Sequence, residues 1–261
     1  MLGAIVGDVV GSIYEFDNIK TKDFPLFSDG SKFTDDTVCT VAVAECLLDE
    51  SDPAMSLRKW CTKYWRMSYG RSFFDWLRSD EPKPYGSWGN GSAMRVSPVA
   101  LLSDSLNDAR GAAREVTIVT HDHPEGVAGA LAVCDAIWMA FDNVAPDTIR
   151  RHVASAYGYD MGRTVNSIRP GYAFDESCRG TVPEALICAL EADGFEDAIR
   201  NAISIGGDSD TVAAIAGAVA EARFGVPPDI RDETLSRLPD DIRSVIFRLY
   251  GKSARGGFWP R

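Results

Sequence analysis

Two short acidic segments lie far apart in this chain, and both end in Asp-Thr-Val. Residues 33–38 read FTDDTV, and residues 207–212, about 170 positions later, read GDSDTV. Each segment opens a helical pattern rich in Ala and Val, and each packs two carboxylates and a threonine hydroxyl into about one helical turn. If the two segments share one site, the fold has to bring distant parts of the chain together in a single closed unit.

These segments have two possible interpretations, helix capping and metal binding. Asp and Thr are favoured N-cap residues, and acidic side chains near a helix N-terminus gain from the helix dipole. Capping needs only one carboxylate, however, and two carboxylates a few ångströms apart repel each other. Because the pair of acids occurs twice, we favour a metal site. Carboxylates and hydroxyls suit Mg²⁺, Mn²⁺ or Ca²⁺ better than Zn²⁺, and two such segments face to face could hold two ions.

Composition and charge limit the class of protein. The chain has 261 residues, of which 45% are hydrophobic and 25% charged, as in an ordinary globular protein of one large or two small domains. A net charge of −11 argues against a protein that reads the nucleic-acid backbone, because such a protein would be basic. We see neither a signal peptide nor an apolar run long enough to span a membrane, and the six cysteines form no Cys-x-x-Cys pair. We therefore expect a cytoplasmic protein with reduced thiols.

Helical periodicity dominates the chain, whereas the alternation typical of strands is scarce. Pro53, Pro146 and Pro183 each indicate a helix start, because proline is tolerated in the first turn. Helices are predicted from Val212 onward and over residues 37–48, 54–67, 107–119, 125–141, 146–157, 182–192, 195–204 and 239–250. Loops are predicted over residues 17–34, 78–98 and 158–181, which are rich in Gly, Ser and Asn. No low-complexity linker divides the chain, so we expect one mostly α-helical domain over residues 1–261.

A glycine-rich loop precedes one of the apolar stretches. Residues 85–95 read YGSWGNGSAMR, with three glycines, two serines and an asparagine. Small side chains allow backbone N–H groups to approach an anion closely, so this loop is a candidate for phosphate binding. The alternative is a surface loop of irregular turns. It is neither a Walker A loop nor a dinucleotide motif, because no Gly-Lys-Ser/Thr follows it and no strand precedes it.

Two further segments carry possible site residues. Residues 120–126 (THDHPEG) contain two of the three histidines, yet no cysteine or third histidine lies at a spacing suited to zinc. We expect instead a polar contact to a substrate, or an N-cap network for a helix that starts near Pro124. Residues 7–15 (GDVVGSIYE) place glycines in a helical pattern, which indicates close packing or the approach of a ligand. Taken alone, Glu15 is expected to be a solvated surface side chain.

Taken in order, these segments resemble the ADP-ribosylglycohydrolase family, which contains the dinitrogenase-reductase-activating glycohydrolase and its eukaryotic relatives. Each motif alone is weak, but their order along most of the chain is specific. The segments that carry the resemblance are residues 7–15, 34–37, 89–95, 120–121, 181–183 and 206–211. The resemblance implies a single-domain, all-α orthogonal helical bundle, which agrees with the helical periodicity.

The resemblance also implies roles for particular residues. The ligands of a binuclear centre with two Mg²⁺ or Mn²⁺ ions would be Thr34, Asp35, Asp36, Asp208, Asp210 and Thr211. The substrate would be held by Gly86, Ser87, Trp88, Gly89, Asn90, Gly91, Ser92, Met94 and His121, with the Gly86–Gly91 loop on the diphosphate. Glu15 and Asp35 are the candidate catalytic carboxylates. Tyr172 and Phe174 are candidates for stacking on adenine, and Arg95 is either a substrate contact or a structural ion-pair partner.

The activity implied by the resemblance is metal-dependent hydrolysis of the glycosidic bond between ADP-ribose and an acceptor, which reverses ADP-ribosylation and releases ADP-ribose. The acceptor stays open between arginine, serine, a nucleic-acid base and a small molecule. Nucleic acid is therefore expected only as a modified substrate. We expect a monomer with no membrane partner.

Two other functions compete with this one. A non-catalytic ADP-ribose-binding or immunity protein would keep the metals without turnover, although none of the six metal positions is lost here. A haloacid-dehalogenase-like phosphatase is suggested by residues 208–212, which fit the pattern D-x-D-x-T/V. That pattern should follow a hydrophobic strand and open a doubly wound α/β domain, whereas about 50 mostly helical residues follow it here.

Overall fold

The computed structural model describes residues 1–255, and this part of the chain is helical with no β-strand. Its fifteen helices are α1 (Leu2–Gly11), α2 (Asp35–Asp49), α3 (Pro53–Lys63), α4 (Arg71–Arg78), α5 (Gly91–Met94), α6 (Ser97–Leu102), α7 (Leu106–Ile118), α8 (Pro124–Phe141), α9 (Pro146–Tyr157), α10 (Val165–Ile168), α11 (Cys178–Glu191), α12 (Phe195–Ile205), α13 (Ser209–Phe224), α14 (Pro228–Ser236) and α15 (Asp240–Lys252). The prediction of an all-α fold is confirmed. The predicted domain also included residues 256–261, which lie outside the described residues.

The antiparallel helices α1 and α13 form the centre of the bundle. Every residue of α1 is buried, and α13 is buried from Ser209 to Glu221. A Cβ atom on Gly7 would lie 2.0 Å from the carbonyl oxygen of Ala213, and one on Gly3 would lie 2.1 Å from that of Gly217. The glycines of the N-terminal motif therefore serve close packing, because the two backbones are in direct contact. The end of α1 thus lies beside the start of α13.

The remaining helices surround this pair and bring the two acidic segments together. Helices α8, α11 and α12 pack on α13, while α2 packs on α1 and is covered by α3, α6 and α15. One continuous hydrophobic core runs through these helices. As a result, the start of α2 contacts the start of α13, where the Thr211 hydroxyl donates a hydrogen bond of 3.2 Å to Asp36 Oδ2.

Helix α8 is more apolar than expected, because the sequence predicts no apolar run long enough to span a membrane. Among the described residues it is the one helix that meets the length and composition of a membrane span, and 67% of this stretch is buried. It packs against α5, α6, α7, α9, α11 and α13. A helix that is hydrophobic all round and has neighbours on most sides is typical of the core of a helical bundle.

Several predicted helix boundaries were wrong. Helix α3 ends at Lys63 rather than at residue 67, and α5 and α10 lie in segments predicted to be loops, because four-residue helices give no periodic signal. Helix α11 begins at Cys178, because the Ser177 hydroxyl accepts a hydrogen bond of 2.9 Å from the Gly180 N–H and caps it there. Pro183 therefore lies inside α11 and not in its first turn, at the cost of one backbone hydrogen bond.

Candidate active site

A cavity of about 380 Å³ opens where the starts of α2 and α13 meet. Its wall combines regions that are far apart in the sequence: both acidic segments, Glu15, the glycine-rich loop before α5 and His121. Each of these regions is a loop or a helix end. Backbone polar groups at such places have no partner within a helix and can therefore bind other groups.

The start of α2 is held by a carboxylate from α1. Asp8 is fully buried, and its Oδ2 accepts hydrogen bonds from the N–H of Thr34 (2.9 Å) and the N–H of Thr37 (3.0 Å). Both threonine hydroxyls donate to the same carboxylate, that of Thr34 over 2.7 Å to Oδ1. The Thr34 oxygen also accepts from the N–H of Asp36 at the N-cap. Asp8 therefore orients the segment that carries Asp35 and Asp36.

The start of α13 is held differently, by neutral amides. Gly206 and Gly207 have φ angles of +70° and +81°, which permit the sharp turn before Asp208. The Asn90 side-chain amide donates a hydrogen bond of 2.6 Å to Asp208 Oδ2. On the other side, the Asn18 side chain accepts from the Gly207 N–H (2.6 Å) and donates to the Gly207 carbonyl (2.9 Å). The turn before Asp208 is thus fixed from two directions.

The two acidic segments and Glu15 meet at one place. The Thr34 hydroxyl lies 3.4 Å from Asp210 Oδ2, and ligand oxygens of Glu15, Asp208 and Asp210 all lie within 4.8 Å of one another. Asp36 and Asp210 are each 3% exposed, so this charge is concentrated in a region that water hardly reaches.

Burial and mutual repulsion disfavour the charged forms of these carboxylates. Burial, with the charge of Asp208 next in effect, raises the pKa of Glu15 to about 7. Burial, followed by the charge of Asp8, raises the pKa of Asp35 to about 7 and that of Asp36 well above its usual range. The pKa of Asp210 is also raised well above its usual range, by burial first and then by Asp36. A cation placed among these groups would remove most of this cost.

The residues present fit a hard divalent cation. Asp36 Oδ1 is buried and has no hydrogen-bond partner among the described residues. Buried carboxylate oxygens usually have a partner, so this oxygen is available as a metal ligand. The donors are carboxylate and hydroxyl oxygens, which favour Mg²⁺, Mn²⁺ or Ca²⁺. Of the described Asp, Glu, His and Cys side chains, the trio close enough to share an ion is Glu15, Asp208 and Asp210.

The structure brings most of the predicted metal ligands to the cavity. Five of them line it: Asp35, Asp36, Asp208, Asp210 and Thr211. Thr34 lies just behind the wall, where its hydroxyl donates to Asp8.

The predicted substrate-binding residues divide into two groups. Those in the cavity wall are Ser87, Trp88, Gly89, Asn90, Gly91, Met94 and His121. Gly86 lies outside the wall, and its N–H donates a hydrogen bond of 2.7 Å to Asp122 Oδ1. Ser92 is buried beneath the loop and donates over 2.8 Å to the carbonyl of Gly126. In this structure Gly86 and Ser92 support the loop and do not face the cavity.

The two histidines of the THDHPEG segment occupy different environments. His123 is the N-cap of α8, with Nδ1 accepting a hydrogen bond of 3.2 Å from the Glu125 N–H, so the predicted N-cap network is confirmed. His121 is 4% exposed and lines the cavity next to the glycine-rich loop. Burial, with the nearby Arg95 charge second, lowers its pKa well below the usual range. His121 is therefore neutral at physiological pH.

Three residues left open by the sequence now have defined positions. Arg95 is 1% exposed, lines the cavity and donates to the Val116 carbonyl and the Thr120 hydroxyl. It forms no ion pair with any residue in 1–255. Tyr172 packs against Gly207, where an added Cβ would lie 2.4 Å from its ring. Phe174 is 51% exposed and lines the cavity, so of the two aromatic candidates it is the one positioned to stack on a base.

Sequence reasoning missed Asp8 and Asn18 as site residues. Asp8 was inside a recognised motif, and an acid in an otherwise apolar helix was the available signal, since a buried carboxylate needs partners. Asn18 gave no such signal, because its partner Gly207 is 189 positions away.

The fold and the site define a class: an all-α bundle with a buried, oxygen-rich acidic site between two helix starts. A family model described as ADP-ribosylglycohydrolase matches residues 1–257. The chain belongs to this family, as the resemblance predicted.

Individual relatives are similar to this chain over most of its length. ADP-ribosylhydrolase ARH3 of Danio rerio is 26% identical, over 87% of this chain and 82% of its own length. An uncharacterized protein of Archaeoglobus fulgidus is 28% identical, over 87% of each chain. ADP-ribosylarginine hydrolase Tri1 of Serratia proteamaculans is 24% identical, over 86% of this chain and 70% of its own. A solved structure titled ADP-ribosylglycohydrolase-related protein complex has a TM-score of 0.72 at 24% identity, covers 97% of both chains and shows the shared fold.

Proposed function

We propose that this protein hydrolyses the glycosidic bond between ADP-ribose and an acceptor in a metal-dependent reaction, and so reverses ADP-ribosylation. Family membership supports hydrolysis of an ADP-ribose linkage. Metal dependence is supported by the buried acidic site, in which ligand oxygens of Glu15, Asp208 and Asp210 lie within 4.8 Å of one another. So much buried negative charge requires compensation, and the unpartnered Oδ1 of Asp36 adds a free ligand atom.

Residues from both helix starts would hold the metals. The ligands would be Asp35, Asp36 and Thr34 on the α2 side and Asp208, Asp210 and Thr211 on the α13 side. Two Mg²⁺ or Mn²⁺ ions, when bound, would polarise the hydroxyls of the distal ribose and activate a water molecule. Asp8 would keep the α2 ligands in place through its hydrogen bonds to Thr34 and Thr37.

Glu15 and Asp35 are the proposed proton carriers. In the metal-free protein, burial and the neighbouring carboxylates raise the pKa of each to about 7, and a bound cation would hold both groups as carboxylates. A group of this kind can take a proton from water at a carboxylate oxygen and return it to the leaving acceptor. Glu15 is half-buried. Asp35 lies in the first turn of α2.

The rest of the cavity offers contacts for ADP-ribose. The backbone N–H groups of Trp88 and Gly91 would bind the diphosphate. The other N–H groups of the loop already donate to acceptors within the protein, namely those of Gly86, Ser87, Gly89 and Asn90. Phe174, exposed at the wall, would stack on the adenine ring.

The phosphatase alternative has no support in the fold. Residues 208–212 follow helix α12 and open helix α13, and the described part of the chain has no strand that could lead into them. A doubly wound α/β domain is therefore absent from residues 1–255.

The test is release of free ADP-ribose from a panel of arginine-, serine- and nucleic-acid-linked conjugates, assayed with Mg²⁺, with Mn²⁺ and with EDTA. We expect release from one class of conjugate in the presence of metal and none with EDTA. Metal-independent release would overturn the metal assignment. Binding of ADP-ribose by calorimetry without release from any conjugate would favour the non-catalytic binding protein.

A further inference from the structure

A chain of three buried side chains connects α5 to the cavity wall. Arg95, at the end of α5, donates from Nη2 over 2.8 Å to the Thr120 hydroxyl. The Thr120 oxygen in turn lies 2.7 Å from His121 Nδ1. The exposed fractions of the three residues are 1%, 0% and 4%, so water does not compete for these hydrogen bonds.

Arg95 is unusual because its charge is buried next to uncharged partners. Its hydrogen bonds go to the Val116 carbonyl and the Thr120 hydroxyl, and its Nε has no partner among the described residues. The Val116 carbonyl, in the last turn of α7, supplies only the partial negative charge of a helix C-terminus. A buried cation of this kind is costly, which indicates a role beyond packing.

The donor and acceptor capacities of the three groups determine the tautomer of His121. A guanidinium group can only donate, so the Thr120 oxygen accepts from Arg95. The Thr120 hydroxyl proton then has one described partner left, which is Nδ1 of His121. If Nδ1 carried the ring proton instead, the buried hydroxyl proton would have no acceptor. Nδ1 is therefore the acceptor, and the ring proton of the neutral imidazole lies on Nε2.

The protonated Nε2 is next to the glycine-rich loop. A Cβ atom on Gly91 would lie 3.3 Å from Nε2, and one on Gly89 would lie 3.9 Å from it. The same Thr120 also holds this loop through its carbonyl, which accepts from the Ser87 N–H over 3.4 Å. Thr120 therefore contacts both His121 and the glycine-rich loop.

We propose that Arg95 and Thr120 are positioning residues that lock His121 as a neutral, Nε2-protonated hydrogen-bond donor for an anionic oxygen bound at the Gly89–Gly91 loop. The ligand class, a diphosphate oxygen of ADP-ribose, rests on the proposed function. The locked tautomer does not, because it is a property of the ligand-free protein.

The first experiment reads the tautomer directly by NMR of protein labelled with ¹⁵N-histidine. The chain has three histidines, and the His121 signals are assigned by their loss in His121→Asn. We expect an unprotonated Nδ1 and a protonated Nε2 in the wild-type protein without ligand. A wild-type His121 that is protonated on Nδ1, or doubly protonated at pH 7, would overturn the proposal whatever the enzyme turns out to hydrolyse.

The second experiment removes the hydroxyl of Thr120 with Thr120→Val. We expect a mixture of the two tautomers and an ADP-ribose Kd raised about tenfold, as for the loss of one hydrogen bond to a charged group. Thr120→Ser should restore both the tautomer and the Kd. A Thr120→Val protein with the wild-type tautomer would contradict the proposal.

A matched control lies one turn earlier in the same region. Thr117 is also fully buried, but its hydroxyl has no hydrogen-bond partner among the described residues. Thr117→Val should therefore leave the His121 tautomer and the Kd unchanged. If Thr120→Val does not fold, Arg95→Met frees the Thr120 oxygen to accept from Nδ1 and should give the same mixture of tautomers. Intact tautomer selection in that variant would exclude a role for Arg95.

Discussion

At the start of α2 the acidic segment is held by a buried carboxylate, whereas at the start of α13 it is held by neutral amides. Asp8 takes hydrogen bonds from two N–H groups and two hydroxyls of the α2 segment. On the α13 side, Asn90 bonds the Asp208 carboxylate, and Asn18 bonds the peptide of Gly207. Two acidic segments that share the sequence Asp-Thr-Val are therefore held in the fold by different kinds of hydrogen-bond partner.

The two arrangements differ in their electrostatic cost. Asp8 adds a further negative charge to a site that already holds several, and its charge raises the pKa of Asp35 and Asp36 after burial. The amides of Asn18 and Asn90 add no charge. They hold a turn whose two residues before Asp208, Gly206 and Gly207, have positive φ angles. The α2 half is thus held strongly at an electrostatic cost. The α13 half avoids this cost and relies on contacts that include the exposed Asn18.

Removal of one ligand from each half should have the largest effect. We expect Asp36→Asn and Asp210→Asn to abolish turnover, with losses above about 100-fold, because even outer-shell partners of a metal site are worth 10–100-fold. The fold should remain, since each substitution keeps the volume and removes a repulsive charge. Rates of ADP-ribose release and thermal unfolding of both purified variants check this. Normal metal-dependent turnover in either variant would exclude that residue as a ligand.

The supports themselves should differ in their contribution to stability. Asp8→Ala leaves the buried N–H groups of Thr34 and Thr37 without an acceptor, and relief of the repulsion with Asp36 offsets only part of this. We expect a loss of about 2 kcal/mol in the free energy of unfolding. Asn90→Ala, its counterpart on the α13 side, should cost about 1 kcal/mol. Urea unfolding of the metal-free proteins measures both, and equal losses would show that Asp8 and Asn90 contribute equally to stability.

The sequence predicts the helices better than it predicts these supports. Local signals predict both acidic helix starts, namely Asp and Thr ahead of an Ala-rich periodic stretch. The bonds of Asp8 to Thr34 and of Asn18 to Gly207 join positions 26 and 189 residues apart, and no local pattern encodes such pairs. Similarly, Ser92 lies in a glycine- and serine-rich segment typical of a binding loop. Its hydroxyl nevertheless donates to the Gly126 carbonyl and does not face the cavity.

The charge cost should appear as a pH dependence of stability in the metal-free protein. Glu15 and Asp35 have a pKa of about 7 in the fold, against usual values of 4.5 and 3.8, so the native state holds protons that the unfolded chain has released. Stability should therefore fall as the pH rises from about 4 through about 7. Thermal unfolding in EDTA should give a lower Tm at pH 8 than at pH 5, and saturating Mg²⁺ should reduce the difference.

Asp35→Asn tests whether this dependence comes from the site. The variant cannot ionise at that position, so its Tm should change less with pH than that of the wild type. Asp104→Asn, which alters an exposed carboxylate in the loop between α6 and α7, serves as the control and should keep the wild-type profile. A metal-free wild-type protein whose Tm rises steadily from pH 5 to pH 8 would show that other groups dominate.

The smallest effect is expected at Asn18, which joins the segment of Glu15 to the α13 half. Its amide donates to the carbonyls of Tyr14, Glu15 and Gly207, and its oxygen accepts from the Gly207 N–H. Asn18→Ala should weaken Mn²⁺ binding by about three- to tenfold, because an exposed hydrogen-bonded contact of this kind is worth about 1 kcal/mol. Calorimetry with Mn²⁺ alone measures this directly.

Hydrogen exchange separates a local effect of Asn18 from a general loss of structure. In Asn18→Ala the amide of Gly207 should exchange faster, while the amides of Thr34 and Thr37, which are bonded to Asp8, should keep their wild-type rates. Asn107→Ala, an exposed amide on α7, is the matched control and should change neither exchange nor Mn²⁺ affinity. Faster exchange at Gly207 and also at Thr34 and Thr37 would mean that the two halves of the site form one cooperative unit. Loss of the Asn18 hydrogen bonds would then also loosen the segment held by Asp8.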